Sequence, residues 1–311
     1  MKRLIVLAVL ALTALTGAVH AAQANFPGAN GRIAYSQDST GEIWTIKSDG
    51  SDPQIVASPS DANSFDSDPA WSPNGQLIVF TEFSNNVPAR LWLVNADGTN
   101  RHLLLTDAPG YGDAQANWSP DGSRVIFRRC NFSKYEACAV YSVKANGTGL
   151  NAITKFNANT TGGSFDVKPE YSPDGKTISF SSFNRGGVQN GIYLMSAHGT
   201  GIHLITPTAL GAVDADWAPD GSKIAFWSHC CDPQPEAINT MNPDGSGITQ
   251  LTSPGASHDL RPSYSPQGDM IVFERDVPDF STSDIETIPA GGGTPTVIAT
   301  DAGSPSWGTA P

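Results

Sequence analysis

The sequence is poor in the groups that carry most enzyme chemistry. It holds four cysteines and six histidines in 311 residues. No Cys-x-x-Cys pair occurs, so the usual ligand spacing of a structural zinc site is missing. No Gly-x-Ser-x-Gly occurs, which leaves out the nucleophile elbow of an α/β-hydrolase. No glycine-rich loop follows a strand pattern, so no phosphate cradle is indicated. After the first two dozen residues no apolar run approaches the roughly 20 residues that span a bilayer. Basic residues are scarce as well: 18 Lys and Arg stand against 30 Asp and Glu. That balance argues against nucleic acid and against anionic membrane surfaces as partners.

Lys2 and Arg3 precede an apolar run from Leu4 to Gly17, followed by the small residues Ala22-Gln23-Ala24. Residues 1–24 read as a secretory signal peptide cleaved after Ala21 or Ala24. The run is too short for an uncleaved anchor, and no cysteine sits nearby for lipid attachment. The mature chain then carries 16 basic and 30 acidic residues, a net charge of −14. This charge serves solubility or supplies an acidic face for a basic partner or a divalent cation. A periplasmic or secreted monomer without membrane insertion is expected.

What the sequence does have is a repeat. Trp71-Ser72-Pro73-Asn74-Gly75, Trp118-Ser119-Pro120-Asp121-Gly122, Tyr171-Ser172-Pro173-Asp174-Gly175, Trp217-Ala218-Pro219-Asp220-Gly221 and Tyr264-Ser265-Pro266-Gln267-Gly268 each lead into an apolar strand, and Ser306-Trp307-Gly308 is a clipped copy. The aromatics are 47, 53, 46, 47 and 43 residues apart. A period in the forties with several short strands per unit reads as a propeller blade. Proline presets the first φ of the turn and glycine takes the positive-φ position. A second mark recurs at Asp49-Gly50, Asp97-Gly98, Asn146-Gly147, His198-Gly199, Asp244-Gly245 and Gly291-Gly292, as expected of hairpins. The fold predicted for residues 25–311 is all-β: a six-bladed β-propeller of four-stranded antiparallel blades. Its first blade lacks a leading strand, and the C-terminal strand Ser304–Trp307 is expected to fill the gap and close the ring.

The pattern Asp-x-x-Pro-x-Trp/Tyr-Ser-Pro-Asp-Gly, then Ile-x-Phe, then Asp-Gly, then Leu-Thr resembles the TolB-type (WD-repeat-like) β-propeller family over roughly residues 28–311. The resemblance extends to the propeller portion alone, without the N-terminal α/β domain of TolB. It implies partner binding over the channel mouth, while the repeat itself is shared by proteins with many jobs.

Cys130 and Cys138 face each other across one hairpin loop and are the first choice for a disulfide. For the adjacent Cys230 and Cys231, a vicinal bridge and two free thiols both stay open.

Candidate chemistry lies at the end of the strands where loops vary, because variable loops on a rigid frame carry binding. Asp66, Asp113, Asp166 and Asp259 stand five residues before the repeat aromatic, and Asp214 three before it. They either cap their own inter-blade turns or converge as an acidic ring. Such a ring would hold a cationic side chain or calcium, with Asp66, Asp113, Asp166 and Asp259 as ligands. Arg185, His229 and His258 belong to the same variable end. Calcium at that ring is the one cofactor the sequence indicates.

The expected function is an exported, non-enzymatic scaffold that binds a protein or peptide partner of the cell envelope at an acidic channel mouth. One alternative is a metal-dependent hydrolase or lyase using the aspartates with His229 and His258. Propeller lyases acting on pectic sugars use several histidines around a metal, and two are too few to match them. The other alternative is a carbohydrate-binding ring using Tyr111, Phe132, Tyr135 and Phe280, which equally serve as packed loop anchors.

Overall fold

The computed structural model describes residues 27–132, 137–156, 164–228, 236–253 and 255–311. The expected signal peptide, Tyr135, His229, Cys230 and Cys231 lie outside the described residues.

Each repeat becomes one antiparallel set of four strands. The first set opens with β1 (Asn30–Gln37), β2 (Glu42–Ile46) and β3 (Gln54–Ala57). The second is β4 (Ser64–Trp71), β5 (Leu77–Ser84), β6 (Arg90–Asn95) and β7 (His102–Leu103). The third is β8 (Tyr111–Trp118), β9 (Arg124–Asn131), β10 (Ala137–Lys144) and β11 (Asn151–Ala152). The fourth is β12 (Phe165–Tyr171), β13 (Thr177–Arg185), β14 (Val188–Ser196) and β15 (His203–Leu204). The fifth is β16 (Ala212–Trp217), β17 (Ile224–Ser228), β18 (Ala237–Met241) and β19 (Thr249–Gln250). The sixth is β20 (His258–Tyr264), β21 (Met270–Asp276), β22 (Ser283–Pro289) and β23 (Thr296–Thr300). The last strand, β24 (Ala302–Thr309), returns to pair with β1, so the first sheet reads β24-β1-β2-β3. A single parallel pair, Cys138 with Phe165, joins the third and fourth sets into one eight-stranded sheet. Cys130 and Cys138 are opposite each other on β9 and β10 and form a disulfide.

The turn chemistry of the repeat accounts for the first hairpin of each set. Gly122 N donates to Ser119 O at 2.9 Å, and Ser119 N to Arg124 O at 2.8 Å. Asp121 Oδ1 accepts from Ser123 N at 3.0 Å, and Ser119 Oγ accepts from Arg124 N at 2.9 Å. Gly122 sits at φ 66°, where a side chain would be strained. The copies at Ser172 and Ser265 repeat the serine contact.

Packing between sets is built from the same repeat. Phe80, Phe127, Phe180, Phe226 and Phe273 are fully buried, one from the second strand of each set but the first. Every apolar core joins two neighbouring sets. One holds Val79 and Leu93 of the second with Trp118 and Phe127 of the third. Another holds Val272 and Ile285 of the sixth with Ile33, Tyr35 and Trp307 of the first. Glycine at 308, where the other copies carry Ser or Ala, has a steric reason: a Cβ there would meet Trp71 Cγ at 2.5 Å.

The outer strands are shorter than the Leu-Thr signature suggests. β7, β11, β15 and β19 have two residues each. The threonine hydroxyl ends several of them by taking over a ladder bond. Thr154, Thr206 and Thr252 accept from Val140 N, Ile192 N and Ile238 N at 2.9, 3.1 and 3.0 Å.

Candidate functional site

The innermost strands β4, β8, β12, β16, β20 and β24 all face one narrow polar cavity of about 90 Å3. That volume accommodates several waters, since a water needs roughly 10–15 Å3 by this measure. Each strand is broken at one position, three residues before the repeat aromatic. The six residues there are Asp68, Gln115, Lys168, Asp214, Arg261 and Ser304, with φ of 51°, 55°, 47°, 52°, 51° and 50°. All six line the cavity. Register shifts between Ser67 and Ala70 and at the corresponding points of the other inner strands mark the same bulge. A left-handed conformation costs a non-glycine residue about 1–2 kcal/mol, so the surroundings must impose it.

The neighbouring set does so. Gln115 N donates to Thr81 Oγ1 at 3.0 Å, Asp214 N to Ser181 Oγ at 2.8 Å, and Ser304 N to Glu274 Oε2 at 2.6 Å. In each case the acceptor is the residue after the buried phenylalanine of the preceding set. Gln115→Gly should relieve the strain but raise the entropy of the unfolded chain, for a net gain of up to about 1 kcal/mol in urea unfolding.

Charge is concentrated on this ring. Lys168 Nζ donates to Asp68 Oδ1 at 2.5 Å, an ion pair between the second and fourth sets. Arg261 Nη1 donates to Glu274 Oε1 at 2.5 Å. Burial opposes the Asp68 carboxylate, yet Lys168, Arg261 and Arg128 hold its pKa below the ordinary value. Burial likewise opposes the Arg261 cation, and Glu274 and Asp68 hold it charged. Trp227 Nε1 donates to Asp214 Oδ2 at 2.9 Å.

Behind the ring, Asp276 feels the charges of Glu274 and Asp38 at the seam between the first and sixth sets. Asp276 is pushed up to about 7 by burial, then by Glu274 and Asp38, against the pull of Arg261. Its unfolded value is near 3.9. The folded protein therefore holds the proton more tightly, and this stabilisation is complete below pH 4 and lost as pH rises to about 7. Melting curves at pH 5 and pH 8 should show Asp276→Asn losing less stability than the wild type.

The residues nominated from sequence take up two arrangements. Asp214 lies on the cavity ring with Asp68. Asp66, Asp113, Asp166 and Asp259 are buried within their own sets, each paired with an arginine. Asp113 accepts two bonds from Arg129 at 2.6 Å, and Asp259 accepts from Arg275 at 2.6 and 2.9 Å. Arg185 Nη2 reaches Asp166 at 2.5 Å. Arg101 reaches Asp66 at 3.4 Å and Glu82 at 2.7 Å, so one guanidinium serves two carboxyls. Burial, with Glu82 adding to it against Arg101, pushes Asp66 up to about 7.

Each arginine also lies over the buried phenylalanine of its own set: Arg101 over Phe80, Arg129 over Phe127, Arg185 over Phe180 and Arg275 over Phe273. Seven of these eight oxygens accept from an arginine rather than face a shared cage, and calcium takes six to eight free oxygens. Among the described residues no three His, Cys, Asp or Glu side chains gather to hold a metal ion.

His258 meets Glu236 through Nδ1 and stacks on Phe280 with ring centroids 4.2 Å apart. The cavity-lining positions Asp68, Gln115, Lys168, Arg261 and Ser304 are not singled out in the sequence reading. Their signal is a polar residue three places before every repeat aromatic.

The TolB beta propeller domain family matches residues 30–310. The chain belongs to that family. An uncharacterized protein of Agrobacterium fabrum is 26% identical over 219 residues, covering 67% of this chain and 69% of that protein. The Tol-Pal system protein TolB of Francisella tularensis subsp. mediasiatica is 26% identical over 226 residues, covering 57% of this chain and 48% of its own length. This chain thus spans about half of that TolB. The crystal structure of TolB from Acinetobacter baumannii superposes with a TM-score of 0.71 at 22% identity, covering 90% of this chain and 67% of that one. That likeness establishes a shared fold.

Proposed function

We propose that residues 25–311 form a closed six-bladed ring, exported to the periplasm or beyond. On this reading the ring is a non-enzymatic scaffold that binds a protein or peptide partner of the cell envelope at the loop-rich mouth of its channel. The observation that carries this reading is the placement of exposed aromatics. Phe65, Phe132 and Phe280 are 51%, 58% and 56% exposed. All three lie at the end of the strands where the sequence varies, and Phe65 stacks on Phe83 at 5.1 Å. Exposed aromatics around a rigid frame are the residues on which interface energy concentrates. The opposite end carries the repeated serine, proline and aspartate turns. A relative named for the Tol-Pal system supports a partner in the envelope. Asp214 and Asp68 belong to the proposed mouth; Asp66, Asp113, Asp166 and Asp259 act through their arginines to hold its walls.

Immobilised wild-type protein should retain a discrete partner from envelope extract. The Phe65→Ala, Phe280→Ala double variant should lose at least tenfold in affinity with its melting temperature unchanged. Equal retention by both proteins would refute the reading. Carbohydrate binding is the second reading, favoured by the exposure of Phe132 and Phe280, and an oligosaccharide that competes with the protein partner would support it.

A further inference from the structure

The repeat aromatic is tryptophan in four copies and tyrosine at 171 and 264. The difference has a structural consequence. Trp118 reaches across to the preceding set, where its Nε1 donates to Ala70 O at 3.1 Å, and Trp217 Nε1 donates to Ser179 Oγ at 3.0 Å. Tyrosine is smaller and leaves the boundary open. Clefts lie at both tyrosine boundaries on the turn end. One, of about 450 Å3, includes Tyr171, Arg124 and Ala197. The other, of about 410 Å3, lies between the fifth and sixth sets and includes Ala218, Pro219, Tyr264, Pro266 and Ala290.

The second cleft differs from the first in one respect: the chain itself leads into it. Asn30 is pinned to the turn of the sixth set. Its Oδ1 accepts from Gln267 N at 3.0 Å, and its Nδ2 donates to Asp269 Oδ1 at 3.3 Å. Ala29 O accepts from Ala310 N at 2.9 Å. Going backwards from these anchors, Gly28 and Pro27 already line the cleft. The next residue is Phe26, one 3.8 Å step from Pro27. That step puts residue 26 within reach of the Tyr264 boundary, one of the two where tyrosine replaces tryptophan. Either expected cleavage point, Ala21 or Ala24, leaves Phe26 on the mature chain.

We propose that the cleft between the fifth and sixth sets is the docking site of this chain's own N-terminal segment, with Phe26 seated against Pro219, Tyr264 and Pro266. The lining is suited to a ring: Ala218, Pro219, Tyr264 and Pro266 are buried apolar or aromatic residues. Lys223 at the rim bonds Asn242 Oδ1 at 2.8 Å, which directs its stem along the cleft wall. The docked segment ties the start of the mature chain to the turn end. It therefore leaves the loop-rich end clear.

The test is a pair of double-cysteine variants of the exported protein, oxidised and mapped by peptide mass spectrometry. Phe26→Cys with Ala290→Cys should cross-link nearly completely. Phe26→Cys with Ala197→Cys, at the equivalent place in the other cleft, should not. Phe26→Ala should lower the melting temperature by about 5 °C, from the lost burial of one aromatic side chain. Equal cross-linking in both pairs, no cross-linking to Ala290→Cys, or an unchanged melting temperature would overturn the proposal.

Discussion

Removal of residues 302–311 should abolish cooperative unfolding altogether. β24 supplies the inner partner of β1, with Ile33 opposite Trp307 and Gln37 opposite Ala302. It also brings Ala302 and Trp307 into the core shared by the first and sixth sets. Without it, β1 would present an unpaired inner edge, and Glu274 would lose the Ser304 N–H that donates to it. An unpaired inner edge is also a template for association. The truncated protein should bind a hydrophobic dye, show no thermal transition and aggregate at micromolar concentration. Trp307→Ala, which keeps the strand and removes the ring, should unfold cooperatively with about 3–5 kcal/mol less stability. A truncated protein that still melted sharply would mean that five complete sets and three strands suffice.

The second large effect is expected at the buried pair of Arg129 and Asp113. Both side chains are nearly inaccessible and meet through two bonds of 2.6 Å. The guanidinium also lies over Phe127, Tyr141 and Tyr111. Arg129→Met leaves the Asp113 carboxylate buried without its partner and should cost about 3–5 kcal/mol. Combining it with Asp113→Leu removes the stranded charge and should recover most of that loss, because an ion pair contributes little against an apolar pair of similar volume. A double variant no better than Arg129→Met would show instead that cation–aromatic packing dominates at this site. The same design applied to Arg275 and Asp259 should give a smaller recovery, because Arg275 also holds Glu286 at 2.7 Å.

The strand repeat was legible in sequence because its signals are local. Pro120-Asp121-Gly122 and its copies set each first hairpin with bonds that span five residues or fewer. The short outer strands were not, since Thr154 and Thr206 end them through side-chain bonds 14 residues away. The aspartates at 66, 113, 166 and 259 were visible as a register, but their partners were not. Arg101 lies 35 residues from Asp66, while Arg185 lies 19 from Asp166, so no single spacing announces the pairs. The cavity ring was hidden for another reason. Gln115, Lys168 and Arg261 are not residues that favour positive φ; acceptors such as Thr81 on neighbouring sets contribute to holding the bulges. Only Asp214 was singled out, as an irregular member of another series. The alternation of tryptophan and tyrosine was plain to read, yet its meaning needed the packing of one set on the next.

Partner binding at the loop-rich end is tested most directly by site-specific photo-cross-linking in living cells. A benzophenone side chain would be placed at Asn86 and at Phe280, on the β5–β6 and β21–β22 loops, and separately at Asp97 and at Asp244, on the opposite turns. A discrete heavier adduct is expected from the two loop positions and none from the turns. Adducts from the turns alone, or from none of the four positions, would contradict it.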